Sequence, residues 1–166
     1  MTEYQTAFRD AIDAYLGRPG TSRSRLGQKA LKDPSFVGRL EDKRNPELRT
    51  VDKVLVAMGQ APIGPAFREE VRAFLEITGV KRSEFGSNVT GNRSFAAWLL
   101  RGGSPRLATA DKARRFMAKN STPAQREEIR AAVEDSLARA ASGDVPAEPV
   151  EPTTRRNGRC MTARST

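Results

Sequence analysis

Residues 8–58 read FRDAIDAYLGRPGTSRSRLGQKALKDPSFVGRLEDKRNPELRTVDKVLVAM, and residues 67–117 read FREEVRAFLEITGVKRSEFGSNVTGNRSFAAWLLRGGSPRLATADKARRFM. Laid on each other at an offset of 59 residues, without a gap, the two stretches share seventeen identities over 51 positions. Phe8/Phe67, Leu16/Leu75, Gly20/Gly79, Arg23/Arg82, Gly27/Gly86, Ser35/Ser94, Phe36/Phe95, Leu40/Leu99, Pro46/Pro105, Thr50/Thr109, Asp52/Asp111 and Met58/Met117 are among them, and Ile12/Val71, Tyr15/Phe74 and Leu26/Phe85 are conservative exchanges. The matches fall where a core and its turns need them, so the chain reads as a duplicated unit.

Each copy has the pattern of four helices. Phe8, Ile12, Tyr15 and Leu16 share one helical face, as do Phe67, Val71, Phe74 and Leu75. A second helix opens near Ser22 with Leu26, Ala30 and Leu31 inward, and Asp33-Pro34 reads as the cap and first residue of a third, with Asn92 the cap in the second copy. Pro46 and Pro105 break the chain, and Thr50 and Thr109 are placed to cap the fourth helix. The segment GQAPIGPA joins the copies, its two prolines predicting a restrained connection. Beyond them, Ser121-Thr122-Pro123 with Gln125 has the spacing of a capping box, opening a helix with Ile129, Val133 and Leu137 on one stripe. That helix is expected either to pack on the second copy or to pair with its twin in a dimer.

The expected fold class is all-α: a first four-helix unit over 1–60, a second over 61–120, a C-terminal helix over 121–142 and a tail over 143–166. The tail is rich in proline, lacks periodicity and is expected to be disordered.

Within this frame, SRLGQKALKDPSFVGRLEDKRNPELRTVDKVLVAM (24–58) resembles the helix-turn-helix of the phage-repressor-like (XRE-type) bacterial regulators. Leu26-Gly27 stands where that family has leucine-alanine, Asp33 at the cap of the recognition helix, Val37 at its inward aliphatic position and Glu41 at its terminal glutamate. The resemblance covers nearly all of each repeat. Two departures stand out. The family turns between helices two and three on a glycine, where this chain has Leu31-Lys32 and only the second copy offers Gly91; and the second copy has Trp98 and Leu100 where Arg39 and Glu41 stand.

Carried over position by position, the resemblance implies base reading by Ser35 and Arg39 beside the donorless Pro34, and by Arg93, Ser94 and Trp98 in the second copy. It implies phosphate binding by Arg23, Lys32, Lys43, Arg44 and Arg49, and by Arg82 and Arg101. An arginine in the major groove meets guanine O6 and N7 with two hydrogen bonds, and backbone N–H groups at a helix start favour an anion. Competing readings stand beside these: Arg39 pairing with Glu41 or Asp42 on a solvated face, Ser35 and Ser94 serving only the first turn of helix three, and Trp98 as a core or interface residue.

Charge agrees with a phosphate-facing surface. The net charge is +9, divided as +3 over 1–60 (11 basic, 8 acidic), +6 over 61–120 (11 and 5) and zero over 121–166 (7 and 7). With no histidine and one cysteine, Cys160, the chain has no internal disulfide and lacks the usual zinc ligand sets, so no metal or other cofactor is expected. Tyr4 and Tyr15 have no histidine company for nucleophilic chemistry and no Gly-rich phosphate loop is present, so the chain is not expected to be an enzyme. No apolar run reaches membrane-spanning length and no signal-peptide pattern opens the chain, which leads us to expect a cytoplasmic, nucleoid-associated protein.

The function so implied is sequence-specific regulation of transcription on double-stranded DNA, of prophage or mobile-element character, by a monomer or homodimer with RNA polymerase or another regulator as a further partner. The alternative is a DNA-binding interaction protein, antitoxin-like or an adaptor, whose second repeat serves dimerisation or partner binding.

Overall fold

The computed structural model describes residues 3–41 and 45–142. Among them the chain is all-α: α1 (Glu3–Leu16), α2 (Arg23–Leu31), α3 (Phe36–Glu41), α4 (Leu48–Ala57), α5 (Ile63–Thr78), α6 (Arg82–Thr90), α7 (Phe95–Leu100), α8 (Leu107–Lys119) and α9 (Pro123–Ala141). The one extended contact is an antiparallel bridge between Glu47 and Arg106. No described helix is long and apolar enough to cross a membrane. The expected disorder of 143–166 lies outside the described residues.

Several local expectations are corrected by a residue or more. The joining segment is half helix, because Ile63-Gly64-Pro65-Ala66 already forms the first turn of α5, where a proline's missing N–H costs nothing. Helix three starts at Phe36 and Phe95, not at Asp33-Pro34 and Asn92. Asp33 and Asn92 instead close a turn: the Oδ1 atoms accept the N–H groups of Ser35 at 3.1 Å and of Ser94 at 2.9 Å. Thr50 and Thr109 do not cap helix four, which begins two residues earlier in both repeats with Glu47 and Arg106 at the cap position. The capping box of α9 forms as the spacing predicts, with Thr122 Oγ1 accepting from Gln125 N and Gln125 Oε1 from Thr122 N.

Lys32 takes over the turn that glycine makes in the second repeat. It lies in the left-handed region at φ +59°, donating its N–H to Gln28 O, while Gly91 holds the same place at φ +76°. The left-handed conformation costs a non-glycine residue about 1–2 kcal/mol. Glycine gives back roughly 0.5–1 kcal/mol through its greater unfolded-state freedom. Lys32→Gly is therefore expected to stabilise the fold by roughly 0.5–1 kcal/mol, read as a higher denaturation midpoint. A lower midpoint would show that the lysine side chain contributes more than its backbone strain.

The repeats are joined by far more than the linker. Leu48 N–H donates to Pro105 O at 2.8 Å, and at the matching position Leu107 N–H donates to Pro46 O at 3.0 Å. Arg49 N–H donates to Ser104 Oγ at 2.8 Å, matched by Ala108 N–H to Asn45 Oδ1 at 2.9 Å. The Asp52 carboxylate accepts from Ile63 N and Gly64 N at the start of α5, and Asp111 accepts from Tyr4 N at the start of α1. Apart from the second Asp52 bond, to Gly64, each of these pairs is related to its counterpart by the 59-residue offset with donor and acceptor repeats exchanged. That reciprocity is the mark of a two-fold interface, here built within one chain. It also explains the early start of α4 and α8, since the first N–H groups of each find acceptors in the other repeat.

Packing follows the same rule. α1 lies against α8 and α4 against α5, while α2 packs on α3 and α4, and α6 on α7 and α8. Tyr4 meets Phe67 edge-on at 6.3 Å, and the Arg114 guanidinium stands 4.3 Å from the Tyr4 ring centre. The buried side chains, from Tyr4, Phe8 and Ile12 through Val51 and Val54 to Phe67, Phe74, Phe85 and Ile129, form one continuous core. α9 covers α5 with Ile129 buried and Val133 partly so, and Ser136 Oγ donates to Glu69 Oε2 across the contact.

Candidate nucleic-acid interface

The short helices α3 and α7 are brought up against α2 and α6 by a glycine in each repeat. A Cβ on Gly27 would overlap the carbonyl oxygen of Asp33, and one on Gly86 that of Asn92. Alanine, the residue the resemblance places here, does not fit. Behind the turn, Val37 and Ala96 are buried in the core together with Leu40 and Leu99, which fixes the rotation of each short helix. Arg39 and Trp98 stand on the less buried sides of α3 and α7, and Ser35, Arg93 and Ser94 in the turns just before them.

In the first repeat these residues form a clamp. Both terminal guanidinium nitrogens of Arg39, Nη1 and Nη2, donate to the Asp33 carboxylate, Nη1 also donates to Ser35 Oγ, and that hydroxyl donates to Asp33 Oδ1 at 2.9 Å. The pair is about one-third exposed, at 37% and 35% for Arg39 and Asp33. Arg39 first, and then Ser35, holds the Asp33 carboxyl below its ordinary range. Because the folded value is the lower one, the stabilisation is present above the ordinary Asp range and is lost as pH falls through the lowered value. At neutral pH the clamp is closed. The ion-pair reading of Arg39 thus holds with a different partner, Asp33 six residues back across the turn. Three of the five guanidinium protons are used in this way, which orients the Nη1–Nη2 end and leaves the Nε–H and one Nη2 proton along the other edge.

The second repeat builds the same place differently. Asn92 replaces the carboxylate and Trp98 the arginine, so no ion pair forms there; Trp98 leans on Phe95 at 5.9 Å and on Gly103 while 43% exposed. It is thus neither a core residue nor a charged one. Arg93 and Ser94 are exposed in the turn before α7.

Of the candidate phosphate ligands, Arg23 and Arg82 are the first residues of α2 and α6 and lie at the surface, with Ser22 capping α2 through Arg25 N. Lys32 is exposed in its left-handed turn. Arg49 and Arg101 come from different repeats yet face one cavity of about 450 Å³ at the junction, with Glu47, Trp98 and Ser104. Lys43 and Arg44 lie outside the described residues. What the sequence reading missed is the set that fixes one repeat on the other, Asn45, Asp52, Ser104 and Asp111; the identity of Asp52 with Asp111 was the available signal.

No family model, curated protein or solved structure matches the chain.

Proposed function

We propose that the chain is a sequence-specific double-stranded DNA-binding regulator whose reading heads are the two helix-turn-helix units α2–α3 and α6–α7. The observation that carries the proposal is the Asp33–Ser35–Arg39 clamp, partly exposed at the start of a short helix seated on α2 by Gly27. A guanidinium held along one edge by a carboxylate keeps donors in a fixed plane, the requirement for bidentate contact with guanine. Arg23 and Arg82 at the helix starts and Arg49 and Arg101 at the junction supply the cations that phosphate contacts need. The resemblance of 24–58 to the phage-repressor-like regulators points the same way.

The test is selection of bound duplexes from a random-sequence double-stranded pool, followed by titration of the recovered duplex and of an unselected one. The recovered duplex is expected to bind more tightly than the unselected one. Arg39→Ala should weaken the recovered duplex by about 1–3 kcal/mol and leave the unselected duplex nearly unchanged. Equal losses on both would move Arg39 to the backbone contacts, and a pool that never enriches would end the DNA-binding reading.

The second reading, in which α7 faces a protein partner such as RNA polymerase or another regulator, is favoured by one observation: Trp98 is an exposed aromatic at the place where the first repeat carries an arginine. Aromatic residues are the usual anchors of protein interfaces.

A further inference from the structure

Resting on that reading, we infer that a single copy of this chain covers one non-palindromic DNA site, with two unlike halves at one fixed spacing, and binds it in one orientation. The reciprocal hydrogen bonds at Leu48/Pro105 and Leu107/Pro46, at Arg49/Ser104 and Ala108/Asn45, and at the two aspartate caps define a local two-fold relation between the repeats. Trp98 of α7 shares the junction cavity with Glu47 and Arg49 of the first repeat. A two-fold axis keeps the level of every point along it, so α2–α3 and α6–α7 stand at the same height on that axis. That is the arrangement with which symmetric dimers of such heads meet successive turns of one face of a duplex.

The junction also removes freedom. Helices α1 and α4 are each packed on a helix of the other repeat, and the core runs through both. The linker between α4 and α5 is short, but the separation of the heads is set by this packing and not by the linker's reach. A second head held in place contributes through effective concentration only at the spacing that suits it, and nothing at others.

The halves are unlike because the chain is symmetric at its junction and asymmetric at its reading surfaces. Arg39, clamped by Asp33, offers oriented donors to a guanine; Trp98 at the matching position offers an aromatic face and one N–H, with no charge partner at Asn92. Arg49, which lines the junction cavity, is matched by Ala108 in the second repeat. A palindrome built from either half presents one head with the wrong bases.

The experiment uses the full chain and the duplexes recovered from the random pool. The expected result is a motif with two different halves at one spacing and one chain per duplex by sedimentation. Inserting either 5 or 10 base pairs between the halves should lower affinity by about 100-fold or more, toward that of a single half. Palindromes made from two first halves or two second halves should bind more weakly than the mixed site, and repeating the selection with Arg39→Ala should flatten the motif in one half alone. Four outcomes overturn the inference while leaving DNA binding intact: a single-half motif, a true palindrome, two chains per site, or tolerance of the 10-base-pair insertion. A pool with no enrichment overturns the DNA-binding reading itself, and this inference with it.

Discussion

Replacing both Gly27 and Gly86 by alanine is expected to destabilise the fold by about 2–4 kcal/mol, although glycine-to-alanine in a helix ordinarily stabilises. The ordinary gain is about 1 kcal/mol per site, from backbone entropy. Against it stands overpacking, typically about 1–3 kcal/mol and occasionally more for each site. At these two sites the new Cβ meets a backbone carbonyl, that of Asp33 or of Asn92, and in the second repeat the Arg93 carbonyl lies 3.1 Å away as well. A side chain can swing aside; these carbonyls belong to the turn that carries α3 and α7. Relief requires the short helix to move off α2 or α6, which loosens Val37 and Leu40, or Ala96 and Leu99, in the core. Gly38 supplies the control. It lies in α3 with open space where its Cβ would stand, so Gly38→Ala should stabilise by roughly 0.5–1 kcal/mol. Urea titrations of the three proteins decide the matter by sign: a double variant as stable as the parent would mean that the helices approach less closely than described.

The contrast between those glycines and their neighbours shows what the sequence could convey. That a small residue at Gly27 lets helix three approach helix two is what the resemblance implied, and the apolar faces of α1, α5 and α9 were legible from period alone. Which helix each face meets was not. Phe8 and Ile12 satisfy the same stripe whether they pack within their own repeat or across on α8, because periodicity fixes a face and leaves its partner open. The helix-four boundaries went astray for a related reason. Thr50 and Thr109 are good capping residues, but capping was already supplied from the other repeat by Pro105, Ser104, Pro46 and Asn45. Arg39 pairing with Asp33 was missed because residues six apart are not neighbours on a helix, and it is the turn closed by Phe36 N–H on Asp33 O and Ser35 N–H on Asp33 Oδ1 that folds the carboxylate back over the start of α3. Trp98 was weighed as a core residue on its chemistry; its exposure follows from the shallow support that Phe95 and Gly103 give it.

The junction itself is most exposed to test at Asp111. Its side chain is buried at 4% exposure, Oδ1 accepts the Tyr4 N–H at 2.9 Å, and Oδ2 is buried with no hydrogen-bond partner among the described residues. Asp111→Ala removes the carboxylate that accepts the Tyr4 N–H inside the α1–α8 contact. Loss of a helix cap costs about 0.5–2 kcal/mol, and an orphaned buried donor about 1–3 kcal/mol. Since both describe the same bond they do not add, and the total is expected near ~1–3 kcal/mol. Asp111→Asn keeps an acceptor and gives up the charge near the α1 N-terminus, so a smaller loss of about 1 kcal/mol is expected. Asp135 calibrates both: its ion pair with Arg139 is exposed on α9, and Asp135→Ala should cost under about 0.5 kcal/mol. Hydrogen exchange locates the effect. If Asp111 holds α1 on the second repeat, Asp111→Ala should accelerate exchange in α1 before it does so in α6 and α7. Uniform acceleration, or a stability loss no larger than that of Asp135→Ala, would show that the aspartate cap is not what fastens one repeat to the other.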